Sequence, residues 1–417
     1  MLLKLVWRSL LNRRASVLLT LLALTLSVVI VIGVEHVRSQ ARESFSRTVS
    51  SVDLIVGART SQINLLLYSV FRIGNATNNI SWQSYQEIAQ ANNVAWSIPI
   101  SLGDSHKGYR VMGTSGDYFR FFRYGSQTPL SFREGQGFSS IFETVLGFEV
   151  ASKLNYRLGD EIILAHGLGA VSFSNHDDAP FTVVGILAPT GTPVDQTVHV
   201  SLQGMEAIHL GWQSGTRVPG LAPDYADPAL AELQPAAITA FLLGLDSRIA
   251  VFGMQRAINE YRAEPLTAIL PGVALAELWQ TVGMAERILS LISALVMLAT
   301  LLGMATMLLS SMKERQREIA LYRAIGAHSS TILLLIELES LLISVLGIAC
   351  GFLLVHLLLL SGQDWLIEQY GLAIDTLPLN ANIGWFMLAI IGTALLLAVI
   401  PALAAYRSSL ASRLRFS

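Results

Sequence analysis

Four apolar segments, at about 15–34, 288–312, 332–360 and 383–405, are each long enough to cross a bilayer. A spanning helix needs about 20 predominantly apolar residues. In lipid, helices satisfy their own backbone hydrogen bonds, so such segments read as helices. The first run is too long for a signal-peptide core, and Glu35-His36 follows it where a small-residue cleavage site would lie. It is read as a retained anchor. The chain carries only 14% charged residues, with a mean hydropathy of +0.52, against about a quarter charged in soluble domains. The deficit is local, because the stretch between the first and second spans has the composition of an ordinary folded domain.

Lys and Arg set the orientation. Lys4, Arg8, Arg13 and Arg14 precede the first span; Lys313, Arg315, Arg317 and Arg323 separate the second from the third; Arg407, Arg413 and Arg415 follow the fourth. Between the third and fourth spans there are only Asp364, Glu368 and Asp375. All basic clusters fall on one side if the chain crosses four times, so both termini are expected in the cytoplasm and the large middle domain, about 45–280, outside. Residues 1–12 place Lys4, Arg8 and Asn12 on one helical face and Leu3, Val6, Trp7 and Leu10 on the other, the pattern of a helix lying on the inner membrane surface.

The expected layout is a cytoplasmic amphipathic helix at 1–14, a first membrane helix with stalk at 15–48, and an α+β periplasmic domain at 49–273. A second stalk and membrane helix follow at 274–312, a cytoplasmic helix at 313–330 and a third membrane helix at 331–360. A short periplasmic loop at 361–382, a fourth membrane helix at 383–406 and a cytoplasmic tail at 407–417 complete it. The fold class is thus an integral membrane α-helical protein with an α+β domain between helices one and two. The α+β reading rests on β-rich runs at 52–58, 161–167, 181–188 and 197–202, mixed with helical patterns at 81–91, 148–155, 202–210 and 246–262.

No phosphate-binding G-x-x-x-x-G-K-[ST] loop, no H-E-x-x-H and no G-x-S-x-G occurs. A non-catalytic subunit is therefore expected, without a cofactor of its own. The net charge of −2 gives no case for nucleic acid. The single cysteine, Cys350, precludes an internal disulfide or a cysteine metal cluster. No metal centre is expected. The grouping weighed for one is His166, His176, Asp177 and Asp178, against the plainer reading of a solvated loop, because neighbours on a strand point to opposite faces. His106, His199 and His209 read as satisfied polar residues.

Glu337, Glu339 and His356 lie on the third span. Ionisable groups in a span are costly and mark function or pairing; the two glutamates, near the cytoplasmic end, read as interfacial or helix-pairing residues. Gly347 and Gly351 form a G-x-x-x-G, which lets helices approach closely, either within one subunit or between two.

Between spans two and three, "KERQREIALYRAIGA" (313–327) is more than a topogenic loop. Acids are interspersed among its bases, Ile319, Tyr322 and Ile325 form an apolar stripe, and Gly326 is a helix stop. A protein partner is expected there. With its continuation, this segment resembles the signature of FtsX-like, MacB-type (type VII) ABC transporter permeases, the group that includes the lipoprotein-release permeases. The resemblance rests on Arg317-Glu318-Ile319, on Arg323-Ala324-Ile325-Gly326-Ala327, and on Glu337 or Glu339 in the next span. "LGFEVASKLNYRLGDEIIL" (146–164), "FTVVGILAPTGTPVD" (181–195) and "PALAAYRSS" (401–409) resemble other parts of the same family.

The resemblance implies a permease subunit that passes the ATP-driven motion of a separate ATPase to its periplasmic domain (mechanotransmission), in the bacterial inner membrane. Coupling would fall to Arg315, Arg317, Glu318, Ile319, Tyr322, Arg323, Ile325 and Gly326. The implied partners are two copies of a cytoplasmic ABC ATPase, which hold ATP and Mg, and a second permease subunit in a homodimer or related heterodimer. The lipid bilayer and a periplasmic substrate or accessory protein complete the set. The substrate class is lipoprotein or another amphiphile. The alternative is a non-transporting regulator of a periplasmic hydrolase. MacB itself carries a fused ATPase, which this chain lacks.

Overall fold

The computed structural model describes the chain except residues 1, 49, 168–175, 211, 214–215, 218–223, 226, 315–325, 371–374, 380 and 412–417. Two compact units emerge, one built around the four apolar helices and the other around Arg42–Thr281.

The apolar helices are Arg14–Arg47, Pro271–Glu314, Ser329–Tyr370 and Ala381–Ala411. Each contains a stretch long and apolar enough to cross a membrane. The first and second have 34 and 44 residues, about 50 and 65 Å at roughly 1.5 Å per residue. Both exceed the roughly 30 Å hydrocarbon core. The third helix continues to Tyr370 rather than ending at 360, and the fourth to Ala411 rather than 406. "SGQDWLIEQY" contains no Pro and its one Gly leaves the helix unbroken, so loss of hydropathy ends the span without ending the helix. The short helix Leu2–Asn12 buries Val6 and Leu10 and leaves Trp7 and Leu11 exposed.

Close approach holds the membrane unit together. A Cβ on Gly347 would lie 2.6 Å from Leu24, and one on Gly351 would lie 2.5 Å from Val28, both on the first helix. The G-x-x-x-G thus seats the third helix on the first within one chain. Ser27 and Thr300 hydroxyls meet at 2.7 Å between the first and second helices. Ser340 Oγ donates to the Ala394 carbonyl between the third and fourth. Small residues and hydroxyls are the expected helix contacts where burial of apolar surface provides no driving force. Leu19, Leu291 and Leu396 face outward, exposed.

The second unit is built on a mixed sheet with eleven strands among the described residues. Its path runs Leu266–Ile269, Leu54–Ala58, Ala240–Leu245, Val94–His106, Tyr109–Thr114, Thr197–Ser201, Glu143–Leu146, Phe181–Leu187 and Phe132–Gly135. Thr197–Ser201 with Tyr109–Thr114, and Phe181–Leu187 with Glu143–Leu146, are parallel; the other pairings are antiparallel. Helices cover the sheet, started by serines: Ser61, Ser81 and Ser201 side chains accept from the backbone of Asn64, Ser84 and Gly204. Ile98, Ile100, Met112 and Leu242 anchor one core cluster and Val111, Val183, Val198 and Ile208 another.

Two local differences from the sequence reading matter. The long strand Val94–His106 contains Pro99, a residue that argues against a central strand, and its polar, Gly-containing pattern hides it. The run expected as one strand at 161–167 is two: Glu161–Ile162 pairs with Phe181–Leu187, and Ala165–His166 pairs with Val94–His106. The break at 163–164 hands the chain from one strand to another, and this transfer places His166.

Candidate functional site

Asp104 lies near the end of the strand Val94–His106 and is buried. His166 is its cross-strand partner in register. Directly opposed residues share a face of the sheet, so the register itself brings imidazole to carboxylate: His166 Nδ1 is 3.1 Å from Asp104 Oδ1. His209 is the last residue of the helix Leu202–His209. That helix packs on the strand Tyr109–Thr114 at Gly113, where a Cβ would stand 2.8 Å from Met205 Sδ. The close approach carries His209 Nε2 to within 3.4 Å of Asp104 Oδ2. His176 is fully buried, and its backbone N–H donates to the Leu164 carbonyl at 3.0 Å. Its ring centroid is 4.5 Å from that of His166 and 5.2 Å from that of His209. One ligating atom from each of Asp104, His166, His176 and His209 falls within a 4.8 Å cluster.

Electrostatics tie the group together. Burial would raise the Asp104 carboxyl, but hydrogen bonds and charge from His166 and His209 outweigh it and hold the group well below the usual carboxylate range. Burial pushes His176 down to about 4, so it is a neutral imidazole at pH 7. For His209, burial is outweighed by Asp104, with help from the Met205 carbonyl, and its proton is held more tightly than usual. A carbonyl can only accept, so the 2.6 Å contact with Met205 O assigns the Nδ1 hydrogen and leaves Nε2 facing the carboxylate.

His166 and His176 thus come together, whereas the two acids weighed beside them do not join them. Asp177 is exposed in the turn, and Asp178 accepts from the Tyr225 hydroxyl at 3.1 Å. Asp104 and His209 take their places, brought from a strand and a helix end that no local spacing links to His166. His106 and His199 stand apart from this group. His106 bonds the Ile163 carbonyl and the Tyr156 hydroxyl. His199 bonds the Val145 carbonyl beneath Tyr118 and Phe119.

A second polar group lies in the membrane unit. Glu339, fully buried, accepts from Ser9 Oγ at 2.7 Å and pairs with Arg13 at 3.0 Å. Glu337 is half-buried on the same helix. At the other end, Glu35 meets Arg38 at 2.7 Å, and Arg38 meets Glu286 at 3.6 Å, linking the first and second helices. His36 and His356 bond the carbonyls of Asp375 and Thr376 at 2.6 and 2.7 Å, which ties the turn before the fourth helix to the first and third. The coupling residues Arg315, Arg317, Glu318, Ile319, Tyr322, Arg323 and Ile325 lie outside the described residues. Gly326, at φ +93°, adopts the backbone region open to glycine.

Comparison with known proteins adds the family. A family model described as the MacB-like periplasmic core domain matches residues 17–236, and one described as the FtsX-like permease C-terminal matches residues 290–411. Among solved structures, the periplasmic region of MacB from Actinobacillus actinomycetemcomitans is 10% identical, with a TM-score of 0.33; the match covers 56% of this chain and 94% of that one. The extracellular domain of the noncanonic ABC-type transporter YknZ from Gram-positive bacteria is 12% identical, with a TM-score of 0.32, covering 53% and 100%. A search of curated proteins returned no match. The first family match alone spans more than half of the 417 residues, and the two follow one another along the chain: the protein is a multi-pass membrane protein of the MacB-like, FtsX-like family of ABC transporter permeases.

Proposed function

We propose that this permease is the transmembrane subunit of an ABC complex that converts ATP-driven motion of a separate ATPase into motion of its outer domain. The observation that carries this reading is the pair of continuous helices Arg14–Arg47 and Pro271–Glu314, which bracket that domain in the chain and each exceed the length a bilayer requires. A helix is stiff along its axis, so displacement at one end of such an element reaches the other. No phosphate loop occurs in this sequence, which supports the reading that ATP and Mg are held by a partner. The basic clusters support a topology with both termini and the segment 313–327 in the cytoplasm of an inner-membrane protein and the outer domain in the periplasm. Two permease copies, or two related ones, would stand over two ATPases. The substrate class is a periplasmic or membrane-extracted amphiphile such as a lipoprotein.

The test is a distance measurement in the reconstituted complex. With Cys350 replaced by Ser, a single spin label at the exposed Glu260 reports the separation between the outer domains of paired permeases. The expected result is a different distance in ATP-bound and ADP-bound states; an identical distribution in both sinks mechanotransmission. A photocrosslinker at Phe252, 70% exposed on the same domain, then identifies what it handles. A lipid-modified protein supports transport, and a soluble hydrolase supports the regulatory alternative.

A further inference from the structure

We propose that Asp104, His166, His176 and His209 of the outer domain form a binding site for a divalent zinc-class metal ion. Three imidazoles and one carboxylate are a donor set that zinc accepts in a four-coordinate site. With bonds of about 2.0–2.2 Å, a tetrahedral site sets its ligand atoms roughly 3.3 Å apart. His166 Nδ1 stands 3.1 Å from Asp104 Oδ1 and His209 Nε2 3.4 Å from the other oxygen, Oδ2, and one ligand atom from each of the four residues falls within 4.8 Å of the others.

The surroundings of the four groups also suit an ion. One carboxylate offers an oxygen each to His166 and His209. The third ring, His176, is fully buried and packed edge-on against both. His209 carries the outer partner expected of a metal-ligating histidine: Nδ1 donates to the Met205 carbonyl, which leaves Nε2 facing inward. Nε2 stands 3.4 Å from Asp104 Oδ2.

The described ligands lie on four pieces of chain: the central strand, its short partner, the residue His176 and the end of a helix. An ion there would cross-link them.

Zinc titration of the full-length protein in detergent, purified through a tag without histidine, tests the assignment by calorimetry and by metal analysis after dialysis. One Zn2+ per chain is expected. His176→Ala and Asp104→Asn should each weaken binding at least as much as the 10–100-fold typical of losing an outer partner. Asp177→Asn, exposed beside the site, should leave it unchanged. Cobalt substitution should give the visible absorption of a four-coordinate ion, and this must vanish in His176→Ala. Circular dichroism shows whether the variants are folded, and His209→Gln provides a second ligand removal if either is not. A folded wild type that takes up no zinc overturns the site, and so does zinc binding that all three ligand variants retain in full.

Discussion

Arg13 and Glu339, 326 positions apart in the chain, meet as an ion pair of 3.0 Å in which the glutamate is buried and also accepts from Ser9. The pair joins the break between the N-terminal helix and the first membrane helix to the third membrane helix. It gives Glu339 a partner, which an intramembrane carboxylate requires.

Removing one member of a buried pair strands the other charge, at a cost of about 3–5 kcal/mol. Arg13→Met or Glu339→Leu alone should each lower the thermal stability of the detergent-solubilised protein. The double variant Arg13→Met/Glu339→Leu should recover most of the loss. Strictly additive losses in that cycle would show that the two residues do not interact.

Gly351 should be equally intolerant of change. Its missing Cβ is 2.5 Å from Val28 and 3.2 Å from the Thr25 carbonyl, so Gly351→Val should destabilise by roughly 1–3 kcal/mol through overpacking. Val28→Ala should restore part of it. Gly362→Ala, which meets open space on the same helix, serves as control. Equal effects at the two glycines would contradict the helix packing described.

In the outer domain, Gly147 precedes the helix Phe148–Leu154, where a Cβ would collide with the carbonyls of Val194 and Asp195 at 2.3 and 2.4 Å. These are backbone atoms and cannot swing away. Gly147→Ala should reduce folded yield and lower the unfolding temperature, whereas Gly116→Ala, in open space, should change neither.

Acid should weaken the outer domain through His199. Burial, with the nearby Arg72 charge, pushes this imidazole down to about 3, against the Val145 carbonyl. The unfolded chain takes up the proton near 6.5, so the unfolded state binds more protons between those values. Stability from this group is complete above about pH 6.5 and is lost as pH falls toward 3. His199→Phe, between Tyr118 and Phe119, should flatten the acid limb of the stability curve by up to one proton. An unchanged slope would refute it.

The sequence displays the membrane helices well because hydropathy is a local property. The runs at 15–34 and 383–405 need nothing from the fold to be recognised. It displays ends of helices less well: Tyr370 stays helical although the apolar run has ended, since helix continuation and lipid crossing obey different rules. Gly347 and Gly351 announce a close contact, but only packing reveals that Leu24 and Val28 fill it. Likewise His166 and His176 attract attention through their neighbours. Asp104 and His209 do not, because their relation to His166 is set by strand register and helix packing. Pro99 concealed the strand that carries Asp104, and the split of 161–167 concealed the partner that carries His166.

The central claim, that this permease works by engaging a separate ATPase, is tested most directly by affinity purification from native membranes, with ATP hydrolysis measured on the eluate. Wild type should bring down a phosphate-loop ATPase whose hydrolysis exceeds that of the free enzyme. Glu318→Arg with Arg323→Glu should abolish co-purification or stimulation while the permease remains folded. An ATPase that stays bound and stimulated in that variant, or a wild-type eluate without one, would contradict the account.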